Sequence, residues 1–159
     1  MDDAESRRWA GYLNATVVAD IEGVRVVLLG RGATLEWPFS GTVHALTAWD
    51  PAGEKMDPAL NDTRNRLLHA DLVSAGYSVW DSTGYDRDGE FVDQGFAVAG
   101  ADESRILQLA ADCGQEAIYR FDSDTVTVIS TAHLGGTASM SVDERIQSVQ
   151  QQRISQPSD

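Results

Sequence analysis

Three short polar signatures carry most of the chemistry this chain offers: Thr47-Ala48-Trp49-Asp50-Pro51, Asn61 with Asn65, and Cys113-Gly114-Gln115-Glu116-Ala117. An indole supplies a stacking face and carboxamides supply paired donors and acceptors. That combination suits neutral polar groups such as nucleobase edges, peptides or sugars. Asp50 and Asp93 would make a carboxylate pair for acid/base work or for Mg²⁺ if folding brought them together. The candidate ligand-binding residues are therefore Trp49, Asp50, Asn61, Asn65, Asp93, Gln94 and Gln115, and no catalytic residue is assigned. A structural alternative stands beside this reading. Asparagines near a helix start cap backbone donors, Asp50 forms an Asx turn before Pro51, Trp49 plugs the end of a sheet, and Gln115 ties down a loop.

Other reactive constellations are weak. His44, His69 and His133 are scattered, and none lies four residues from a second His or a Glu as a helical zinc pair requires. They read as surface or hydrogen-bonded histidines, and neither a metal site nor a cofactor is expected. Asp86-Arg87-Asp88-Gly89-Glu90 alternates oxygen ligands but lacks the rest of a calcium loop, and reads as a hairpin. Gly30-Arg31-Gly32 lacks the third glycine of a phosphate loop. Cys113 is the only cysteine, which excludes an internal disulfide; on a helix face it reads as a small core residue. No Ser-centred elbow or kinase set is present.

The charge balance restricts partners. Twenty-five acids against twelve bases give a formal charge of -13, and Lys55 is the only lysine. A field of that sign repels polyanions, so binding to a nucleic-acid backbone is not expected. A small polar ligand, or a protein partner drawn by charge, remains compatible with it. No run approaches the ~20 apolar residues of a membrane span, and the acidic start Met1-Asp2-Asp3-Ala4-Glu5 has no apolar signal core. The expected setting is soluble and cytoplasmic. At 159 residues, with 42% hydrophobic and 23% charged, one globular domain is expected.

The elements that must position the signatures follow from periodicity and punctuation. A helix over about 4–14 carries Trp9, Tyr12 and Leu13 on one face, and strands at 16–21 and 24–29 are joined by a tight Glu22-Gly23 turn. Residues 35–39 read as a short extended piece, with Pro38 arguing for an edge or a loop. A strand at 43–49 ends at Asp50-Pro51. Asp57-Pro58 starts a helix that buries Leu67, Leu68, Leu72 and Ala75 and stops at Gly76. Strands at 77–81 and 91–99 flank the Asp88-Gly89 turn. Asp102 caps a second helix with Ile106, Leu109, Ala110 and Cys113 on its inner face, closed by Gly114, and strands at 115–121 and 125–130 follow.

Strand, helix, strand, strand, helix, strand is the order of a ferredoxin-like split β-α-β core, an α+β antiparallel sheet covered by two helices. An N-terminal helix and hairpin and a C-terminal strand are added to it. One domain over 1–132, with its core at about 42–130, would precede a Gly-rich link, a short helix opened by Ser141-Val142-Asp143-Glu144, and a tail to 159. In that topology the end of the first core strand, the start of its helix, the hairpin flank Asp93-Gln94 and Gln115 share one rim. Asn61 and Asn65 continue the inward stripe of Leu68 and Leu72 and must find partners or a ligand.

At the same three signatures the chain resembles DUF3293, a bacterial family of domains of unknown function. That family's pattern is Thr-Ala-Trp-Asn-Pro, an Asn-rich helix start and Gly-Gln-x-Ala after the last helix, met here by 47–51, Asn61 with Asn65, and Gly114 to Ala117. The resemblance spans about Tyr12 to Tyr119, with Asp50 where the pattern has Asn. It implies a shared domain and rim and no reaction. The leading expectation is a small binding module. An acidic protein that engages a basic partner is the alternative, and a carboxylate-dependent enzyme the third.

Overall fold

A computed structural model describes residues 7, 10–30, 39–51, 54–86, 92–123, 125–132 and 137–141. Trp9, Pro38, the Asp88-Gly89 turn, His133 and the helix expected after Ser141 lie outside the described residues. The elements are β1 (Thr16–Ile21), β2 (Val24–Leu29), β3 (Val43–Leu46), α1 (Pro58–Ser74), β4 (Ser78–Tyr85), β5 (Val92–Ala99), α2 (Glu103–Asp112), β6 (Ala117–Phe121), β7 (Thr125–Ser130) and β8 (Thr137–Ser141). Residues 10–13, ahead of β1, are helical.

The protein is α+β; the described residues form one eight-stranded sheet in the order β2-β1-β4-β5-β3-β6-β7-β8, and every neighbouring pair is antiparallel. Local chemistry sets the ends of its elements. Glu22 and Gly23 both have positive φ, 52° and 82°, as a two-residue hairpin that matches strand twist requires. In α1 the Asp57 side chain accepts from the Ala59 N–H at 2.8 Å, Pro58 takes the first helical position, and Gly76 at φ 86° turns the chain out. In α2 the Asp102 side chain accepts from the Ser104 N–H, and Gly114 at φ 77° follows the last turn.

Alternation along the strands gives the sheet two faces, each with its own apolar cluster. Leu46, Phe96, Val98 and Ile118 meet Leu68 and Leu72 of α1 and Ile106, Leu109 and Ala110 of α2. Val17, Ala19, Val43, Ala45, Ala97 and Phe121 face the other way, with Leu13 from the helical N-terminal residues and Phe39 packed against them. Each fully buried leucine of α1 contributes roughly 1.5–3 kcal/mol. The inward stripe of α1 is Asn61, Asn65, Leu68 and Leu72, as the spacing predicts.

Four expectations are corrected. Leu67 is 65% exposed and Ala75 is exposed, because the stripe of α1 is narrow and both fall outside it. The first core strand stops at Leu46 rather than Trp49, since the backbone of 48–50 is taken by side chains instead of a neighbouring strand. The strand expected at 77–81 continues to Tyr85, extended by pairing with both β1 and β5. The stretch read as a link from residue 133 contains β8, which pairs with β7 and carries the sheet past residue 132.

Gly95 holds a tight crossing. A Cβ there would run into the Leu46 carbonyl oxygen and lie 2.8 Å from the Thr47 Cβ. Gly95→Ala should therefore push β5 away from the β3 exit and lower stability by at least about 2 kcal/mol. Chemical denaturation reads this directly, and an unchanged midpoint would mean the crossing yields without cost.

Candidate functional site

The residues after β3 leave the sheet, so their backbone groups need partners from elsewhere. They find them in the other two signatures. The Ala48 N–H donates to Asn65 Oδ1 at 2.9 Å, and the Asp50 N–H to Asn61 Oδ1 at 2.9 Å. The Ala48 carbonyl accepts from Arg64 Nε at 3.2 Å and the Trp49 carbonyl from Gln115 Nε2 at 2.9 Å. Asn65 uses its other end to reach the Gln94 carbonyl at 2.8 Å, which the Thr47 hydroxyl also contacts. Arg64 continues to the Cys113 carbonyl at 2.5 Å, so it joins the clasp to the end of α2.

Asp50 is the residue this clasp presents. It sits in the left-handed region at φ 42°, a conformation that costs most residues strain but suits Asp and Asn. Its Oδ1 accepts from Asn61 Nδ2 at 2.7 Å and from the Met56 N–H at 2.9 Å. Asn at position 50 would satisfy the same backbone and the same bonds, so the aspartate keeps that geometry and adds a charge.

Asp50 lines a cavity of about 320 Å³ on the sheet face opposite the two helices. The cavity exists because small residues occupy that face: Ala45, Ser82, Gly84, Gly95 and Ala117 leave space that longer side chains would fill. Tyr12, Tyr85 and Tyr119 form aromatic walls. The Tyr119 hydroxyl donates to the Tyr12 carbonyl at 2.6 Å and the two rings meet edge-on at 6.1 Å. This contact fastens the N-terminal residues over the sheet. Burial, reinforced by Tyr12, pushes the Tyr119 hydroxyl's pKa up.

Asp93 also lines the cavity, and its Oδ1 is buried with no hydrogen-bond partner. Burial, with a smaller contribution from the Asp50 charge, raises its pKa to about 7. Of the residues singled out from sequence, Asp50, Asp93 and Gln115 line the cavity, whereas Trp49, Asn61, Asn65 and Gln94 do not. Asn61 and Asn65 have their amides engaged in the clasp, and Gln94 contributes its backbone carbonyl. Trp49 is half-buried and enters the clasp through its backbone.

Residues 46–118 match the family described as Protein of unknown function (DUF3293). Over this span the chain is similar to DUF3293. The matched span holds every member of the clasp together with Asp93, while Tyr119 lies one residue past its end and Tyr12 well before its start. No curated protein and no solved structure is significantly similar to the chain.

The expected rim passed over Arg64, Ser82 and the tyrosines. Arg64 stands beside Asn65 on α1, but nothing in its spacing announces two backbone acceptors. Tyr119 was open to detection by alternation, being two residues from the inward Phe121 on β6.

A second polar cluster lies on the helix side. His44 is 3% exposed and its Nε2 lies 3.0 Å from Glu103 Oε1, with Nδ1 buried and without a partner. Arg120 bridges Glu103 at 3.0 Å and Asp122 at 3.4 Å. Burial alone would raise the Glu103 pKa, but hydrogen bonds from His44 and Arg120 bring it below the usual range. This cluster ties β3, β6 and α2 together and faces no cavity residue. Among the described residues, no group of three His, Cys, Asp or Glu could hold a metal ion, and no helix is long and apolar enough to cross a membrane.

Proposed function

We propose that this protein is a small binding module whose ligand sits in the Asp50/Asp93/Gln115 cavity. The observation that carries the reading is a space large enough for a small molecule, lined by Asp93, whose Oδ1 is buried without a hydrogen-bond partner. A polar group withdrawn from water without a partner is costly, roughly 1–3 kcal/mol, and a bound ligand would relieve that cost. The clasp then has a supporting role: Asn61, Asn65, Arg64 and Gln115 hold the 47–50 backbone so that Asp50 meets the ligand in fixed geometry. The scaffold reads as a ferredoxin-like split β-α-β core, supported by β3-α1-β4-β5-α2-β6 and by the spatial order β4-β5-β3-β6. The raised Asp93 pKa beside Asp50 favours a second reading, a carboxylate pair that donates and accepts a proton during turnover.

Gly84→Val tests the cavity. A Cβ at Gly84 meets nothing closer than Asp93 at 3.9 Å, so a branched side chain there enters the cavity without striking backbone. In a metabolite panel read by thermal shift and native mass, the wild-type protein should gain a ligand and Gly84→Val should lose it while melting normally. Equal ligand gain by both proteins would remove the cavity from the account.

A further inference from the structure

We infer that the cavity selects a small organic cation, an amine borne on an aromatic or apolar body, over its neutral and anionic counterparts. This rests on the proposal that the cavity is a ligand site. Among the described residues the lining contains the carboxyl residues Asp50, Asp86, Asp93 and Glu116 and no Lys, Arg or His. An anion would find no cationic partner among these residues. A neutral ligand could fill the apolar space but would bring no charge to offset Asp93 once it ionises beside Asp50, and an unpaired charge is most costly at low dielectric.

A single ammonium removes both difficulties. Its N–H groups donate to carboxylate oxygens, and Asp93 Oδ1 is an acceptor with no partner inside the protein. Its charge offsets the burial and, to a smaller extent, the Asp50 repulsion that hold a proton on Asp93. The walls fit the rest of such a molecule. Tyr12, Tyr85 and Tyr119 offer ring faces to a cation and its aromatic body, and Ala45, Gly84, Gly95 and Ala117 offer a smooth apolar floor. About 320 Å³ admits a molecule on the order of a dozen non-hydrogen atoms. The formal charge of -13 adds a field that concentrates cations at the surface.

Tryptamine, tryptophol and indole-3-acetate share one ring and differ in terminal charge, which makes them suitable probes. Titration calorimetry at pH 8, where Asp93 is ionised, should give tryptamine an affinity about tenfold or more above tryptophol, with no detectable heat from indole-3-acetate. Asp93→Asn should bring tryptamine down to the level of tryptophol without weakening tryptophol, and Gly84→Val should lose both. Tryptophol or indole-3-acetate binding the wild type as tightly as tryptamine, and losing affinity in Gly84→Val, would overturn the charge preference and leave the cavity as a ligand site. Tryptamine binding that Gly84→Val leaves intact would overturn the cavity and the preference together.

Discussion

Asn65→Ala should lower stability by about 2–4 kcal/mol, one of the largest effects of any single change outside the apolar core. The Asn65 amide serves two backbone groups that lack sheet partners, the Ala48 N–H and the Gln94 carbonyl. Ala48 is fully buried, so no water replaces the lost acceptor. The Gln94 carbonyl keeps its contact with the Thr47 hydroxyl, which places most of the cost on Ala48. Asn65→Leu preserves bulk but not the acceptor and should recover little. Asn61→Ala should be similarly costly, since it frees the Asp50 N–H and one bond to Oδ1 and leaves an aspartate at φ 42° without its main support. For a chain of this size each 1 kcal/mol moves the melting temperature by roughly 2–4 °C, within easy reach of calorimetry. A shift of less than a degree in either variant would show that the clasp is dispensable.

Asp93→Asn should do the reverse, stabilising the protein in a pH-dependent way. In the unfolded chain the carboxyl titrates near ~3.9, and in the folded protein near 7. Between those values the native state holds a proton that the unfolded state has released, so the contribution of Asp93 is most favourable below about pH 4 and is lost as pH rises through 7. Above that it is constant and unfavourable. Solvent access at the cavity tempers the effect, leaving about 2 kcal/mol between the two limits. Asp93→Asn removes the ionisation, so its advantage over the wild type should be near zero at pH 4 and grow to about 2 kcal/mol at pH 8, or roughly 4–8 °C in melting temperature. Asp50→Asn should return the Asp93 titration part of the way towards the ordinary carboxylate range, because it removes the smaller of the two causes and keeps the Oδ1 acceptor. A difference between wild type and Asp93→Asn that does not change between pH 4 and 8 would contradict the raised pKa. A site residue whose removal stabilises the fold has the signature of a group retained for function.

The elements were legible because their determinants are local. Asp57-Pro58 and Asp102 start helices, Gly76 and Gly114 end them, and Glu22-Gly23 turns a hairpin through backbone preferences that any neighbouring chain would leave unchanged. The inward placement of Asn61 and Asn65 was legible from helical spacing alone. What those asparagines do was not, for an amide facing inward suits a ligand as well as a backbone, and the choice depends on which segment arrives opposite it. Only the assembled sheet brings residues 48–50 to α1 and consumes both amides there. The cavity takes in Asp50, Asp93 and Gln115 of the expected rim but not Trp49. A cavity is the space between residues distant in sequence, here Ala45, Ser82, Gly84, Gly95 and Ala117 under Tyr12, and no local pattern encodes it. Sequence by itself determined the polar residues and the stripe that carries them. The tertiary structure decided which of them support backbone and that Asp50 and Asp93 line one cavity, because burial and charge repulsion act through distance in space rather than position along the chain.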